Sequence, residues 1–216
     1  WFYGIQSLAA MVKLPQLKVP HVKITDAPRF EFRGLLLDVA RNFRSQSFVL
    51  KVLDQMAAYK INKLHFHLAD DEGWRLQIPD LPELTEVGGF RCFDPQETEC
   101  LQPQLGAGIE KSTAVNGYYS VKQYQQILNY ASQRHIQIIP SLDMPGHSRS
   151  SISAMEARYR KYMEKEMLDK ASEFRLIDPE DKTQYSSIQY YSDNTLNVCL
   201  DSTYHFIDTV MDNVKA

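Results

Sequence analysis

The chain has 216 residues, 44% of them hydrophobic and 24% charged, with a formal net charge of −3. That balance suits a globular chain with a sizeable core. It provides no basic surface for nucleic acid, and no apolar run approaches the roughly 18 residues that a membrane-spanning helix needs.

The chain opens Trp1-Phe2-Tyr3-Gly4, without a starting Met or a leader-like segment, and reads as a piece of a longer precursor. Gly4 to Leu17 carries a weakly helical apolar pattern, after which Pro15, Pro20 and Pro28 punctuate a linker. From Phe30 the rhythm changes. Arg33 to Ala40 is a nearly continuous apolar run, which suits a strand covered on both faces. Ser45 or Ser47 is placed to cap a helix whose inward stripe is Val49, Leu53, Met56 and Ala57. Ile61 to Leu68 forms a second strand, with Leu64, Phe66 and Leu68 on one face and His65 and His67 on the other.

An excursion over 75–119 follows, rich in turn residues and carrying Cys92 and Cys100. Ser120 can cap the next helix, with Tyr124, Ile127, Leu128 and Ala131 on one face, and Ile136 to Asp143 makes a third strand. A second excursion, 148–200, contains a charged helix in which Glu156/Arg160 and Glu166/Lys170 fall at i,i+4 spacing, as on a solvated face. Asp201 or Ser202 then caps a last helix with Ile207, Val210, Met211 and Val214 inward. Strands alternating with helices predict an α/β fold with a parallel sheet.

Polar residues gather at the C-terminal end of each predicted strand: Arg41, then Asp70-Asp71, then Asp143-Met144-Pro145-Gly146-His147. Active sites of parallel α/β folds sit at that end. Arg41 offers a fixed cationic fork for sugar hydroxyls or a carboxylate, and equally a salt bridge to Asp70 or Asp71. Two adjacent carboxylates repel, so one of that pair contacts a cation or a ligand. Asp143 can orient the His147 imidazole, catalytically or structurally. His65 and His67, joined by His147, suggest a zinc site, although hydrogen-bonded structural histidines are the preferred reading and no metal is expected. Trp74, Tyr118 and Tyr119 suit either a pyranose platform or the core. Cys92 and Cys100 fit a local disulfide or two free loop thiols, and Cys199 has no evident partner. Nucleotide-binding glycine loops, nucleophile elbows and Cys-x-x-Cys pairs are all missing, so no cofactor is expected.

Longer stretches carry a family resemblance. Phe32-Arg33-Gly34-Leu35-Leu36-Leu37-Asp38-Val39-Ala40-Arg41 and Asn62-Lys63-Leu64-His65-Phe66-His67-Leu68-Ala69-Asp70-Asp71-Glu72-Gly73-Trp74-Arg75 resemble the first two barrel strands of the chitobiase-type β-N-acetylhexosaminidases, glycoside hydrolase family twenty. Gly117-Tyr118-Tyr119-Ser120 and Asp143-Met144-Pro145-Gly146-His147 match two further blocks, and Phe2 to Leu8 resembles the end of the small domain preceding that barrel.

The resemblance implies a (β/α)8 TIM barrel, of which residues 28–216 supply roughly the first three βα units, with residues 1–27 ending a small α+β domain. It also implies hydrolysis of non-reducing-end N-acetylglucosamine or N-acetylgalactosamine from oligosaccharides, with retention. In that reaction the substrate's acetamido carbonyl attacks the anomeric carbon, an Asp orients it, and a neighbouring Glu acts as acid and then base. By resemblance Arg41 grips the sugar's outer hydroxyls, Asp70 lies near the site, and Asp143 and His147 support the catalytic acid. The family's Asp-Glu pair follows a His-x-Gly-Gly block that does not occur in residues 1–216 and is expected beyond Ala216. The longer parent is then active, and this segment alone is not. Ser141 departs from a Glu common among relatives. Cys92 and Cys100 match the disulfide loop of exported members, which implies a secreted or periplasmic protein. Two alternatives are a non-enzymatic relative that binds sugar or matrix, and a zinc-dependent barrel hydrolase.

Overall fold

Three parallel strands organise the chain in the computed structural model, which describes residues 1–12 and 15–215. The central strand pairs with β1 (Gly34–Asp38) from Gly34↔Lys63 to Asp38↔His67. This central strand, β2 (Lys63–Asp70), is followed by the short β3 (Gly73–Trp74), which turns back antiparallel with Ala69 opposite Trp74. The remaining strand, β4 (Gln137–Leu142), runs parallel to β2 from Lys63↔Gln137, with an irregularity between His67 and Ala69.

The helices form where side chains can close their ends. Leading the chain is α1 (Phe2–Met11), shorter than the predicted 4–17; Lys13 and Leu14 lie outside the described residues, as does Ala216. Between β1 and β2, α2 (Gln46–Ala58) starts at Ser45, whose hydroxyl accepts from the Phe48 N–H, and buries Val49, Leu53, Met56 and Ala57 as their spacing predicts. A single turn, α3 (Glu83–Glu86), precedes α4 (Val121–Ser132). The latter opens with a full capping box: Ser120 accepts from the Gln123 N–H while the Gln123 side chain accepts from the Ser120 N–H. Tyr124, Ile127 and Ala131 are buried, but Leu128 is 37% exposed, because it sits beside the core stripe.

After β4 come α5 (Arg149–Met163), α6 (Leu168–Ser172) and α7 (Asp201–Lys215). The predicted solvated face is half-buried at Glu156 and Arg160 and exposed at Glu166 and Lys170, while the first turns of α5 bury Ser150, Ser151, Ile152, Ser153, Ala154 and Met155. Small hydroxylated side chains pack closely there, each bonded to a neighbour; Ser151, for example, donates to the Ser148 carbonyl. The i,i+4 pairs do not form. Glu156 binds Arg175 instead, Arg160 donates to the carbonyls of Gln96 and Glu97, and Glu166 lies beyond the helix. In α7 Asp201 is already helical and the Ser202 hydroxyl donates to the Arg175 carbonyl, so neither caps as predicted. Its buried residues are Thr203, Phe206 and Val210; Ile207 and Val214 are partly buried and Met211 is exposed.

One continuous core joins α2, α4, α5 and α7 to β2, whose Leu64, Phe66 and Leu68 are fully buried. The expectation that the first strand is covered on both faces is corrected: Leu35 is 38% and Leu36 57% exposed. Among the described residues β1 and β4 each pair on one side only, so full burial begins at Val39 and Ala40.

Candidate functional site

In the sheet register Asp38 at the end of β1 lies opposite His67 and Leu142 at the end of β4 lies opposite Ala69, so the residues just beyond these ends converge on the end of β2. Past β1 the chain tightens: the Arg41 N–H donates to Asp38 Oδ1 at 3.1 Å, which turns the Arg41 side chain towards the end of β2. There its Nη2 lies 2.8 Å from Asp70 Oδ2, its Nη1 3.0 Å from Asp38 Oδ2, and its Nε 3.1 Å from Glu72 Oε2. The alternatives for Arg41 thus resolve structurally to Asp70 rather than Asp71.

Asp70 is the hub. Its side chain is 1% exposed. It faces His67 Nε2 at 2.7 Å and His147 Nδ1 at 3.1 Å, and accepts the Asp71 N–H at 2.7 Å. The other His67 nitrogen, Nδ1, meets Ser141 Oγ at 2.8 Å. Asp71 is held separately: Asn194 donates to its Oδ2 at 2.9 Å and the Arg149 N–H to its Oδ1 at 3.1 Å. The expected orientation of His147 by Asp143 is corrected. His147 Nδ1 instead points at Asp70 and Asp71, while Asp143 Oδ1 lies 3.8 Å from His67 Nδ1. The left-handed backbone at His147 (φ 55°) turns its ring back over the β2 end. Both Asp143 and His147 keep more than a third of their side-chain surface open, 38% and 39%.

These contacts divide the charge unevenly. Burial opposes ionisation of Asp70, but hydrogen bonds from His67 and the Asp71 N–H, with the Arg41 charge, hold its carboxyl below the usual carboxylate range. Burial likewise disfavours the His67 cation, yet the bond to Asp70 and the charges of Asp143 and Asp38 raise that imidazole above its ordinary value. Burial pushes Asp71 up despite the Asn194 and Arg149 bonds, and the Asp70 charge adds to the rise. Glu72 also rises, through burial more than Arg41 can offset. The result is one firmly ionised carboxylate between a guanidinium and two imidazoles, flanked by two acids that hold protons more readily.

The donors do not assemble the zinc alternative. His65 and His67 have ring centroids 6.3 Å apart and nearly perpendicular planes. Among the described residues the His/Asp triplets whose ligand atoms come close together are His67–Asp70–Asp143 and Asp70–Asp71–His147, neither of which includes His65. Both share Asp70, where Arg41 already supplies the cation.

Two of the candidate sugar platforms are core. Trp74 is 1% exposed, donates to the Leu76 carbonyl and packs edge-on against Phe206; Tyr119 is fully buried and donates to the Arg44 carbonyl. Tyr118 is half-buried against Phe90. Cys92 and Cys100 are joined in a disulfide and Cys199 is a free, exposed thiol.

The sequence reading assigned no site role to Glu72 or Ser141 and missed Asn194 and Tyr191, whose hydroxyl approaches Glu72 Oε1 at 3.4 Å. Glu72 was findable, since it follows Asp71 directly at the strand end. Asn194 and Tyr191 lie more than a hundred residues away in an irregular segment with no local signal.

Comparison with known proteins matches this arrangement to one family. The family model described as Glycosyl hydrolase family 20, catalytic domain, covers residues 30–216. Beta-hexosaminidase B of Pseudoalteromonas piscicida is 59% identical over 99% of this chain and 28% of its own length. N,N'-diacetylchitobiase of Vibrio harveyi is 49% identical over 100% of this chain and 25% of its own length. Among solved structures, the GH20 exo-β-N-acetylglucosaminidase of Vibrio harveyi in complex with N-acetylglucosamine superimposes with a TM-score of 0.74 and 38% identity, covering 88% of this chain and 26% of that one. The N-acetyl-β-hexosaminidase of Streptomyces plicatus reaches 0.69 and 29%, covering 99% and 37%. The chain thus spans about a quarter of the length of the curated relatives it matches. On these matches, which run through every strand and every polar residue gathered around Asp70, the chain belongs to glycosyl hydrolase family 20.

Proposed function

We propose that this chain is the sugar-gripping portion of an exported β-N-acetylhexosaminidase that releases non-reducing-end N-acetylglucosamine or N-acetylgalactosamine from chitooligosaccharides or glycans. The observation that carries the reading is the Asp70 hub at the end of β2, which holds Arg41 from beyond β1 and His147 from beyond β4, the two parallel strands flanking β2, in a chain of this family.

On this reading residues 28–216 are the first part of a (β/α)8 barrel, and residues 1–27 end a preceding small domain. Arg41 is one-third exposed, with side-chain contacts to three carboxylates, and its remaining donor directions meet the outer hydroxyls of the terminal sugar. Asp70 keeps Arg41 charged and aimed. Asp143 and His147, open to the same rim, support the acid machinery. The Asp and Glu that orient the acetamido group and transfer the proton come from sequence outside 1–216. The acetamido carbonyl forms the bond to the anomeric carbon as the leaving oxygen takes the proton from the Glu. Water, deprotonated by that same Glu, then opens the oxazolinium ion. Export is supported by the Cys92–Cys100 disulfide, since such bonds persist in oxidising compartments.

The test is proton NMR of p-nitrophenyl N-acetyl-β-D-glucosaminide hydrolysis by the complete protein, in which the only N-acetylglucosamine released is the one cleaved at its anomeric carbon. The β-anomer of N-acetylglucosamine appears first if the reaction runs with retention. Absence of hydrolysis, or the α-anomer first, contradicts the proposal.

A further inference from the structure

Two buried guanidinium groups lie directly behind Arg41 and take no part in the chemistry above. Arg75 is 0% exposed, and no carboxylate among the described residues pairs with it. Its Nε donates to the carbonyls of Val39 at 3.0 Å and Ala40 at 3.2 Å, and its Nη2 to Ala40 at 2.7 Å. Its Nη1 donates to the carbonyls of Gly89 at 2.7 Å and Gly117 at 3.1 Å. Arg91, also 0% exposed, donates from Nη2 to the Arg41 carbonyl and to Asn42 Oδ1, both at 2.7 Å, and from Nη1 to the Gln104 carbonyl at 3.2 Å. Its Nε has no partner.

A buried cation without a counter-charge is costly, and a neutral side chain of similar size fills the same volume at lower cost. What a guanidinium adds is a planar fork of five fixed donors. The two forks reach the same place: the carbonyls of Val39, Ala40 and Arg41 and the side chain of Asn42. That segment needs holding. The Val39 N–H makes the last ladder bond, to the His67 carbonyl, and the chain then leaves the sheet. The packing is built around this clamp. A Cβ at Gly73 meets Arg75 Nη2 at 2.3 Å, Arg75 Cζ at 2.4 Å and the Ala40 carbonyl at 2.8 Å, so only glycine lets the fork reach the strand end.

We infer that Arg75 and Arg91 are positioning residues for Arg41: by fixing the backbone from Val39 to Asn42 they set where the Arg41 guanidinium meets the sugar. The inference rests on the sugar-gripping reading of Arg41. Recognition groups must stay within about 0.5 Å of productive geometry, and small displacements cost large factors in rate. Lysine at position 91 keeps the charge but loses the planar fork that spans three acceptors.

A double-mutant cycle on the complete protein tests it, with kcat and KM for p-nitrophenyl N-acetyl-β-D-glucosaminide measured for Arg41→Ala, Arg91→Lys and the pair. Asn42→Ala, which removes a single acceptor, serves as the gentler variant should Arg91→Lys fold poorly. If Arg91 acts through Arg41, Arg91→Lys lowers kcat/KM about tenfold alone and less than about twofold on top of Arg41→Ala, because the group being positioned is gone. Asn42→Ala repeats the pattern with a smaller loss of about threefold alone. Equal losses in both backgrounds, or a lower melting temperature with unchanged kcat/KM, overturn the inference. An Arg41→Ala protein with full kcat/KM instead overturns the sugar-gripping reading, and the inference with it.

Discussion

Replacing Asp70 by Asn removes the one charge around which the rim is built. The carboxylate meets Arg41 Nη2 at 2.8 Å, His67 Nε2 at 2.7 Å, the Asp71 N–H at 2.7 Å and His147 Nδ1 at 3.1 Å. Asparagine keeps one oxygen acceptor and turns its amide donor towards groups that also donate. Breaking a buried ion pair by removing one partner costs about 3–5 kcal/mol. Here the cost is smaller, because Arg41 is 33% exposed and keeps Asp38 and Glu72, so screening and the surviving partners reduce it to about 2–3 kcal/mol. At 2–4 °C per kcal/mol for a domain of this size, that is a fall in Tm of roughly 5–10 °C near neutral pH.

The pH dependence fixes the sign. Asp70 is held below its unfolded pKa, so its contribution is present above about pH 4 and is lost as pH falls through the folded value. His67 is held above its unfolded pKa, so its contribution is full below about pH 6.5 and fades as pH rises through the folded value. The gap between wild type and Asp70→Asn is therefore widest from about pH 4.5 to 6.5 and closes below about pH 4. Differential scanning fluorimetry of both proteins across pH 3–8 checks it. A Tm difference under about 2 °C, or one that stays constant down to pH 3, refutes the reasoning.

Three further outcomes follow from other parts of the fold. Gly73→Ala forces a methyl group into the Arg75 fork and the Ala40 carbonyl, and lowers stability by about 1–3 kcal/mol in chemical denaturation, whereas insertion into open space has no such effect. The disulfide spans a separation of 8 residues, so replacing Cys92 and Cys100 together by Ser lowers stability by about 2 kcal/mol, read as a Tm shift that reducing agent also produces in wild type but not in the variant. Residues 1–216 expressed alone expose Leu35 and Leu36 beside an unpaired strand edge and self-associate, and light scattering that finds a monodisperse monomer contradicts this.

What could be read from sequence was what depends on near neighbours. The α2 stripe of Val49, Leu53, Met56 and Ala57 and the Ser120 cap are local, and both appear where their spacing puts them. The meeting of Arg41 with Asp70 was legible because both follow parallel strands, and polar groups at strand ends face one another across the sheet. Long-range closure was not legible. Trp74 and Tyr119 are core because α7 and the connection between β1 and α2 fold over them, through Phe206 and Phe43. Nothing adjacent to Asn194 signals that it reaches Asp71. The buried serines of α5 look solvent-facing in sequence, since a hydroxyl satisfied by a backbone carbonyl carries the same letter as an exposed one. Arg75 and Arg91 are the extreme case: cations paired with backbone carbonyls have no partner that a sequence pattern can name.

On the proposed function, this rim belongs to an enzyme whose substrate supplies its own nucleophile. The direct measurement compares the complete protein on p-nitrophenyl N-acetyl-β-D-glucosaminide and on the corresponding glucoside, which lacks the acetamido group. Steady release of p-nitrophenol is expected from the first and none above background from the second. Equal rates on both, or no release from either, contradict the proposed function.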